Sequence, residues 1–193
     1  MKNLWEIQVP FEEKERIALT YGDPADALIA NENYALSPLP EAIANWHSIV
    51  PLLKPDHWYD VTAFYSRRKA DLSKEDSDML FTFNQRAFDA AKEKGGLVLY
   101  FQGVLLGNST KQTISNLNLS FVPNCLSFCI WNTLKEAKEG SSISAHKDAT
   151  RMTGRWFDGF AIKKYVVKLE ENAKKKKLIF KETLYSPLPH KTN

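Results

Sequence analysis

An α+β fold in the order β-α-β-β-α-β, with one extra strand near the C-terminus, is what this sequence predicts. Segments rich in aromatic and β-branched residues lie at 57–66, 97–106 and 125–131, and two more fall between 162 and 184. Between the first two sits a segment with helical spacing and both of its end signals. Between the third and fourth, a long stretch repeats its apolar residues at helical intervals. That order is the split βαβ arrangement of a ferredoxin-like antiparallel sheet.

Each element has its own grounds. Residues 1–45 carry Pro24, Pro38 and Pro40 and no sustained period, so they read as an N-terminal extension with short turns or helices. Their aromatics, with Trp46 just beyond, are too many for a free tail, so the extension is expected to dock on the domain at 46–185. "HWYDVTAFYS" is the first strand. In "LSKEDSDMLFTFNQRAFDAAKEKGG", Ser73 and Asp76 form a capping pair and Gly95-Gly96 supplies the stop. Leu80, Phe83, Ala87, Ala90 and Ala91 give that helix a stripe to lay on a sheet. "LVLYFQGVLL" is continuously apolar and therefore reads as central. Its "LYFQG" is native strand, since Leu97 stands where a tag-protease site needs glutamate. A polar connection leads to "CLSFCIW", the third strand. Residues 134–160 form the second helical region, with a break at Gly140-Ser141-Ser142. "IKKYVVKLEE" and "KLIFKETL" close the domain as a hairpin, and residues 186–193 make a loose tail.

Bulk properties bound the function. At 193 residues the chain suits one domain with an extension, and 44% hydrophobic with 25% charged residues is ordinary for a globular protein. A net charge of +3 argues for no nucleic-acid partner, and the run Lys174–Lys177 reads as a solvated turn. No apolar run is long enough for a membrane span or a signal peptide. Cys125 and Cys129, roughly 13 Å apart on one strand face, can form neither a disulfide nor a zinc site. The chain reads as reduced and cytoplasmic.

On the first strand Tyr59, Val61, Ala63 and Tyr65 alternate with Trp58, Asp60, Thr62 and Phe64, so neither face suits open water. Two helical regions cover only one face. The extension or a second copy of the chain must cover the other, and the second copy is the preferred expectation.

"SFCIWNTLKEA", "ISAHKDATRMTGRWF" and "IKKYVVKL" together resemble the dimeric α/β-barrel superfamily, including the antibiotic-biosynthesis and heme-degrading monooxygenases. The matching residues are Trp131, Glu136, Ala137, Ala145 and His146. "QGVLLG", "LSFCIW" and "AHKDAT" also resemble a family best represented in fungal genomes, which brings no activity with it. The superfamily resemblance implies two copies closing a barrel, each with a cleft between sheet and helices. In the heme-degrading branch the "AHK" histidine is the axial ligand, which maps to His146. That branch also has a tryptophan ten residues earlier and an asparagine on its first strand. Here position 136 is Glu136, and "HWYDVTAFYS" has no asparagine. The superfamily hosts unrelated chemistries, so fold carries no activity.

His146 sits at the edge of a stripe formed by Ala145, Ala149, Met152, Trp156 and Phe160, beside a second stripe with Thr153 and Phe157. From there an imidazole can look into a cleft as a proton carrier or iron ligand, or simply pack at the helix start. Asp60 is costly to bury amid aromatics unless paired. On a cavity face it is a candidate base; on an edge strand it is merely solvated. Tyr59, Trp131, Trp156 and Phe157, with Tyr65 and Tyr100, are candidates to line an aromatic pocket, although such spacing is more often core. Arg67-Arg68-Lys69 could greet an anion, with a solvated loop the expected reading. His47 and His57 read as packing or surface residues.

The expectation is a homodimer holding a small apolar or aromatic molecule, with no nucleic-acid or membrane partner and no cofactor. Its chemistry would follow cofactor-free monooxygenases, with His146 or Asp60 as base. The alternatives are a heme protein ligated by His146 and a non-enzymatic dimeric interaction protein. A cleft filled by side chains would favour the last.

Overall fold

The structure is a computed structural model that describes residues 3–9, 28–103, 117, 119–172 and 175–183. Six strands form one antiparallel sheet: β1 (Leu4–Val9), β2 (Trp58–Arg68), β3 (Leu97–Gln102), β4 (Cys125–Trp131), β5 (Phe157–Asn172) and β6 (Lys175–Thr183). Their spatial order is β1-β6-β5-β2-β4-β3. Within it, β5-β2-β4-β3 is the ferredoxin-like core, and β6 and β1 extend one side.

The helices are α1 (Leu39–Ala42), α2 (Lys74–Lys94), α3 (Leu134–Ser141), α4 (Ser144–Arg151) and α5 (Thr153–Trp156). The Ser73 side chain accepts from the Asp76 amide at 3.0 Å and fixes the start of α2. Gly95, at φ 87°, ends it in a conformation that side chains disfavour. Thr133 caps α3 in the same way through the Glu136 amide. None of the described helices is long and apolar enough to cross a membrane.

Residues 134–160, expected to be largely helical, instead form three short helices, and the chain turns to strand at Phe157. Of the predicted break at Gly140-Ser141-Ser142, Gly140 and Ser141 end α3 and Ser142 opens the gap before α4. Phe157 and Phe160 thus belong to β5 rather than to a helix face. The lysine run is also placed differently. Lys175–Lys177 open β6, where Lys176 meets Glu171 at 3.0 Å and Lys177 meets Glu6 and Glu170 at 3.3 Å each. Residues 173–174, between β5 and β6, lie outside the described residues, as do most of the connection after β3 and the tail after 183.

The two faces of the sheet are covered by different parts of the chain. Tyr59, Val61, Ala63, Tyr65, Leu126, Phe128, Ile130, Val167 and Phe180 face one side and are buried. Against them pack Tyr34, Leu39, Trp46 and Ile49, so residues on both sides of position 45 share one core cluster. Trp46 anchors it, with Phe180 at 4.8 Å and Phe128 at 5.4 Å between ring centroids, and its Nε1 donates to the Pro40 carbonyl at 2.8 Å. The expectation that a second copy covers this face therefore fails. Short helical turns interrupted by prolines do the work, and pairing through this face would have to expel them. The region expected to lack strands also supplies one, since β1 pairs with the outer edge of β6.

Candidate functional site

On the opposite face, α2, α4 and α5 lie over β2, β3, β4 and the start of β5, and they do not close down on it. A cavity of about 650 Å³ remains. Small residues on the facing helices explain the space: Ala87 and Ala91 on α2 and Ala149 on α4 all line it. Its floor is Phe64 and Ser66 from β2, Tyr100 from β3, and Cys125, Ser127, Cys129 and Trp131 from β4. Phe157, Phe160, Leu80 and Phe81 stand at the end where β2 finishes, and Phe81 is 64% exposed.

Among the predicted site residues, the structure brings His146, Trp131, Trp156 and Phe157 into this cavity. It does not bring Tyr59. That ring belongs to the opposite face, and its hydroxyl accepts from the Lys54 amide at 2.7 Å. Tyr65 faces the same way and donates to the Ser37 carbonyl at 3.0 Å. Asp60 is on the helix side, as the alternation requires, but it is not among the lining residues. It is 8% exposed, and its Oδ1 lies 3.6 Å from Lys164 Nζ, which also donates to Thr62 Oγ1. That Oδ1 is buried and makes no hydrogen bond, so its contact with the lysine, which bridges β2 and β5, is the ion pair alone.

Two polar atoms in the cavity wall are buried without a hydrogen-bond partner: His146 Nδ1 and Trp156 Nε1. Trp156 is 2% exposed, with its ring edge-on to Phe83 at 5.6 Å. Buried donors are nearly always satisfied, so this pair needs an explanation. Burial also lowers the pKa of His146, which favours the neutral imidazole. Its backbone is fixed by Thr150, whose hydroxyl donates to the His146 carbonyl at 2.8 Å.

The other titratable groups in the cavity are locked in their protonated forms. Burial pushes the Cys129 thiol up to about 12 and raises Cys125. It also drives the Tyr100 phenol far above its ordinary value, and that hydroxyl donates to Asn84 Oδ1 at 2.8 Å. Neither thiol is a nucleophile at neutral pH. Among the lining residues, His146 alone can exchange a proton near neutrality. No group of three or more His, Cys, Asp or Glu side chains among the described residues is placed to hold a metal ion.

Arg68, named from the sequence as able to greet an anion but expected in a solvated loop, instead closes β2 and lines the cavity. Sequence reasoning missed Asn84, which donates to Gln102 Oε1 at 2.8 Å across the α2–β3 gap. For Arg68 the available signal was the period of two on β2, which puts Phe64, Ser66 and Arg68 on one face. His57 behaves as expected, with its Nε2 at 2.7 Å from the Asn132 carbonyl and its ring edge-on to Tyr59.

The family described as PB2B2.08-like matches over residues 25–181. Among curated proteins, none matches. In solved structures the chain is similar to a dimeric ferredoxin-like protein of unknown function from Thermobifida fusca, with TM-score 0.44 and 11% identity over 58% of this chain and 93% of that one. A dimeric protein of unknown function and ferredoxin-like fold from Bacteroides fragilis gives 0.40 and 9%, over 55% and 93%. A candidate antibiotic biosynthesis monooxygenase from Chloroflexus aurantiacus gives 0.36 and 12%, over 55% and 89%. Likenesses at this level say nothing of activity.

Proposed function

The chain belongs to the PB2B2.08-like family, and from that premise we propose that it binds a small, largely aromatic molecule in the cavity between sheet and helices. The observation that carries this reading is the pair of unpartnered polar atoms, Trp156 Nε1 and His146 Nδ1, in the wall of an otherwise mostly apolar cavity. A ligand with polar atoms on an aromatic body supplies what they lack, an acceptor for the indole and a partner for the imidazole. The volume falls within the range of small-molecule sites.

Catalysis is the finer part of the proposal. A neutral imidazole held in an apolar wall is suited to take a proton from an acidified C–H group of the ligand. The resulting carbanion would react with dioxygen directly, as in cofactor-free monooxygenases, and the hydroperoxide, protonated by the imidazolium, would lose water to leave a carbonyl at that carbon. His146 is preferred over Asp60 as that base, because Asp60 lies outside the lining and beside Lys164. Heme ligated by His146 is supported less. A ligating histidine is normally oriented by a partner on its other ring nitrogen, which Nδ1 lacks, and Arg68 is the single fixed charge along the cavity for two propionates. A homodimer like those described for two of the similar structures would need a surface other than the face held by residues 28–53.

Titration with 2-naphthol, followed by intrinsic tryptophan fluorescence, tests the binding reading. Saturable quenching is expected, and Ala149→Trp should abolish it by filling the space. Quenching that survives in a folded Ala149→Trp variant sinks the cavity as the site. If the wild-type protein consumes dioxygen with such a substrate, His146→Ala should slow uptake by about 10²–10⁴-fold. Uptake unchanged by that substitution removes His146 as the base. Added hemin should give no Soret band dependent on His146.

A further inference from the structure

Resting on the binding reading above, we infer that the ligand is an amphipathic carboxylic acid, its carboxylate paired with Arg68 and its apolar body lying along the groove toward Trp131. Arg68 is the single fixed charge among the lining residues. A register shift between Arg67 and Arg68 in the pairing with β5 re-aims the end of the strand. Two contacts then hold the residue in place. Its amide donates to Asn124 Oδ1 at 2.9 Å, and its Nη2 donates to Ser77 Oγ at 2.7 Å.

Among the described residues, no carboxylate lies within ion-pair distance of this guanidinium. Nearby Arg155, by contrast, is matched with Asp76. A guanidinium has five N–H donors in a planar fork, and a serine hydroxyl engages one of its nitrogens. The rest present a surface shaped for a carboxylate. A neutral, wholly apolar occupant would cover that charge without compensation, which costs free energy. A phosphate carries close to two negative charges and would meet one cation here, so the carboxylate is the better match.

The rest of the cavity describes the tail. Arg68 and Trp131 stand at opposite ends of the paired strands, since Trp131 is opposite Asp60, eight residues from Arg68. At ~3.3 Å per residue that is roughly 26 Å of strand. Phe64, Ala87, Phe88 and Trp131 line the way. An elongated acid with an aromatic or alkyl body fits this layout, with Trp156 Nε1 and His146 Nδ1 left to meet polar atoms along its length.

Fluorescence anisotropy with pyrenebutanoate and its uncharged analogue pyrenebutanamide tests the inference. Wild-type protein is expected to bind the acid about ten- to a hundredfold more tightly than the amide. Arg68→Met should bind both alike, and Arg68→Lys should keep part of the preference and guard against a folding defect. Equal affinity of acid and amide for the wild-type protein overturns the carboxylate inference while the cavity reading stands. Failure of both probes to bind removes the two together. A preference that persists in a folded Arg68→Met variant places the anion elsewhere and also overturns the inference.

Discussion

The same sheet presents two faces of similar aromatic content and opposite character. On one, the chain's own residues 28–53 press Trp46, Leu39 and Ile49 against Phe128, Val167 and Phe180, and the contact is dry. On the other, α2, α4 and α5 bridge Phe64, Trp131 and Phe157 at a distance, and the short side chains of Ala87, Ala91 and Ala149 leave the space between unfilled. Aromatic content alone therefore does not separate a core from a site. The size of the opposing residues does, because a well-packed interior leaves no space for a ligand.

Trp46→Ala attacks the packed face and should have the largest effect. The ring is 1% exposed, packs tilted against two phenylalanines and donates to the Pro40 carbonyl. A loss of about 3–5 kcal/mol is expected from denaturant midpoints. Probe affinity of the folded fraction should stay as in the wild type. A change in affinity of tenfold or more would show that the two faces are not independent.

Gly140→Ala tests the opposite face. A Cβ there would lie 2.2 Å from Trp131 Cη2, on a ring that forms part of the cavity floor. Overpacking should cost about 1–3 kcal/mol, and the displaced indole should weaken probe binding as well. An unchanged affinity would show that Trp131 is scaffold and not site. A smaller effect is expected at the ion pair beyond the cavity. Lys164→Met leaves the mostly buried Asp60 carboxylate without its cation. Lys164 is itself partly solvated, so the loss should be about 1–2 kcal/mol, less than for a fully buried pair. Asp60→Asn in the same background should recover part of it.

Legibility in the sequence tracked how local the governing physics was. β4 and α2 could be read because alternation, the Ser73 cap and the glycine stop all act within a few residues. The packing of residues 28–53 could not, since prolines break any period and only contact with the sheet holds the segment in place. The alternation on β2 correctly required both faces to be covered but could not say by what. That gap led to the expectation of a second copy. Of the cavity lining, His146 and Trp156 were named from helical spacing and Trp131 from the end of its strand, whereas Phe157 was named on a helix stripe and lines the cavity from β5 instead. Tyr59 and Asp60 could never have shared a cavity, because neighbours on a strand point to opposite faces. Arg68 was named as able to greet an anion, but its place in the cavity wall was not read, because the strand was expected to end at residue 66 and runs on to Arg68.

The smallest effect separates the two faces by pH. The packed face holds phenols that burial raises, with Tyr165 pushed up to about 12, so these phenols stay neutral near pH 7. The cavity face holds His146, whose folded pKa lies below the ordinary value of about 6.5 because of burial. Above that ordinary value, histidine is neutral in both states and contributes no pH dependence. As pH falls below it, the unfolded chain takes up the proton before the folded one, so stability declines until the folded pKa is passed and then levels. Unfolding midpoints between pH 7.5 and pH 5 should therefore slope more steeply in the wild type than in His146→Asn, and the difference between the two isolates this residue from His47 and His57. Equal slopes would mean that His146 already has a partner for its proton. The cavity wall would then hold one unsatisfied atom instead of two, and the proton-accepting role would lose its footing.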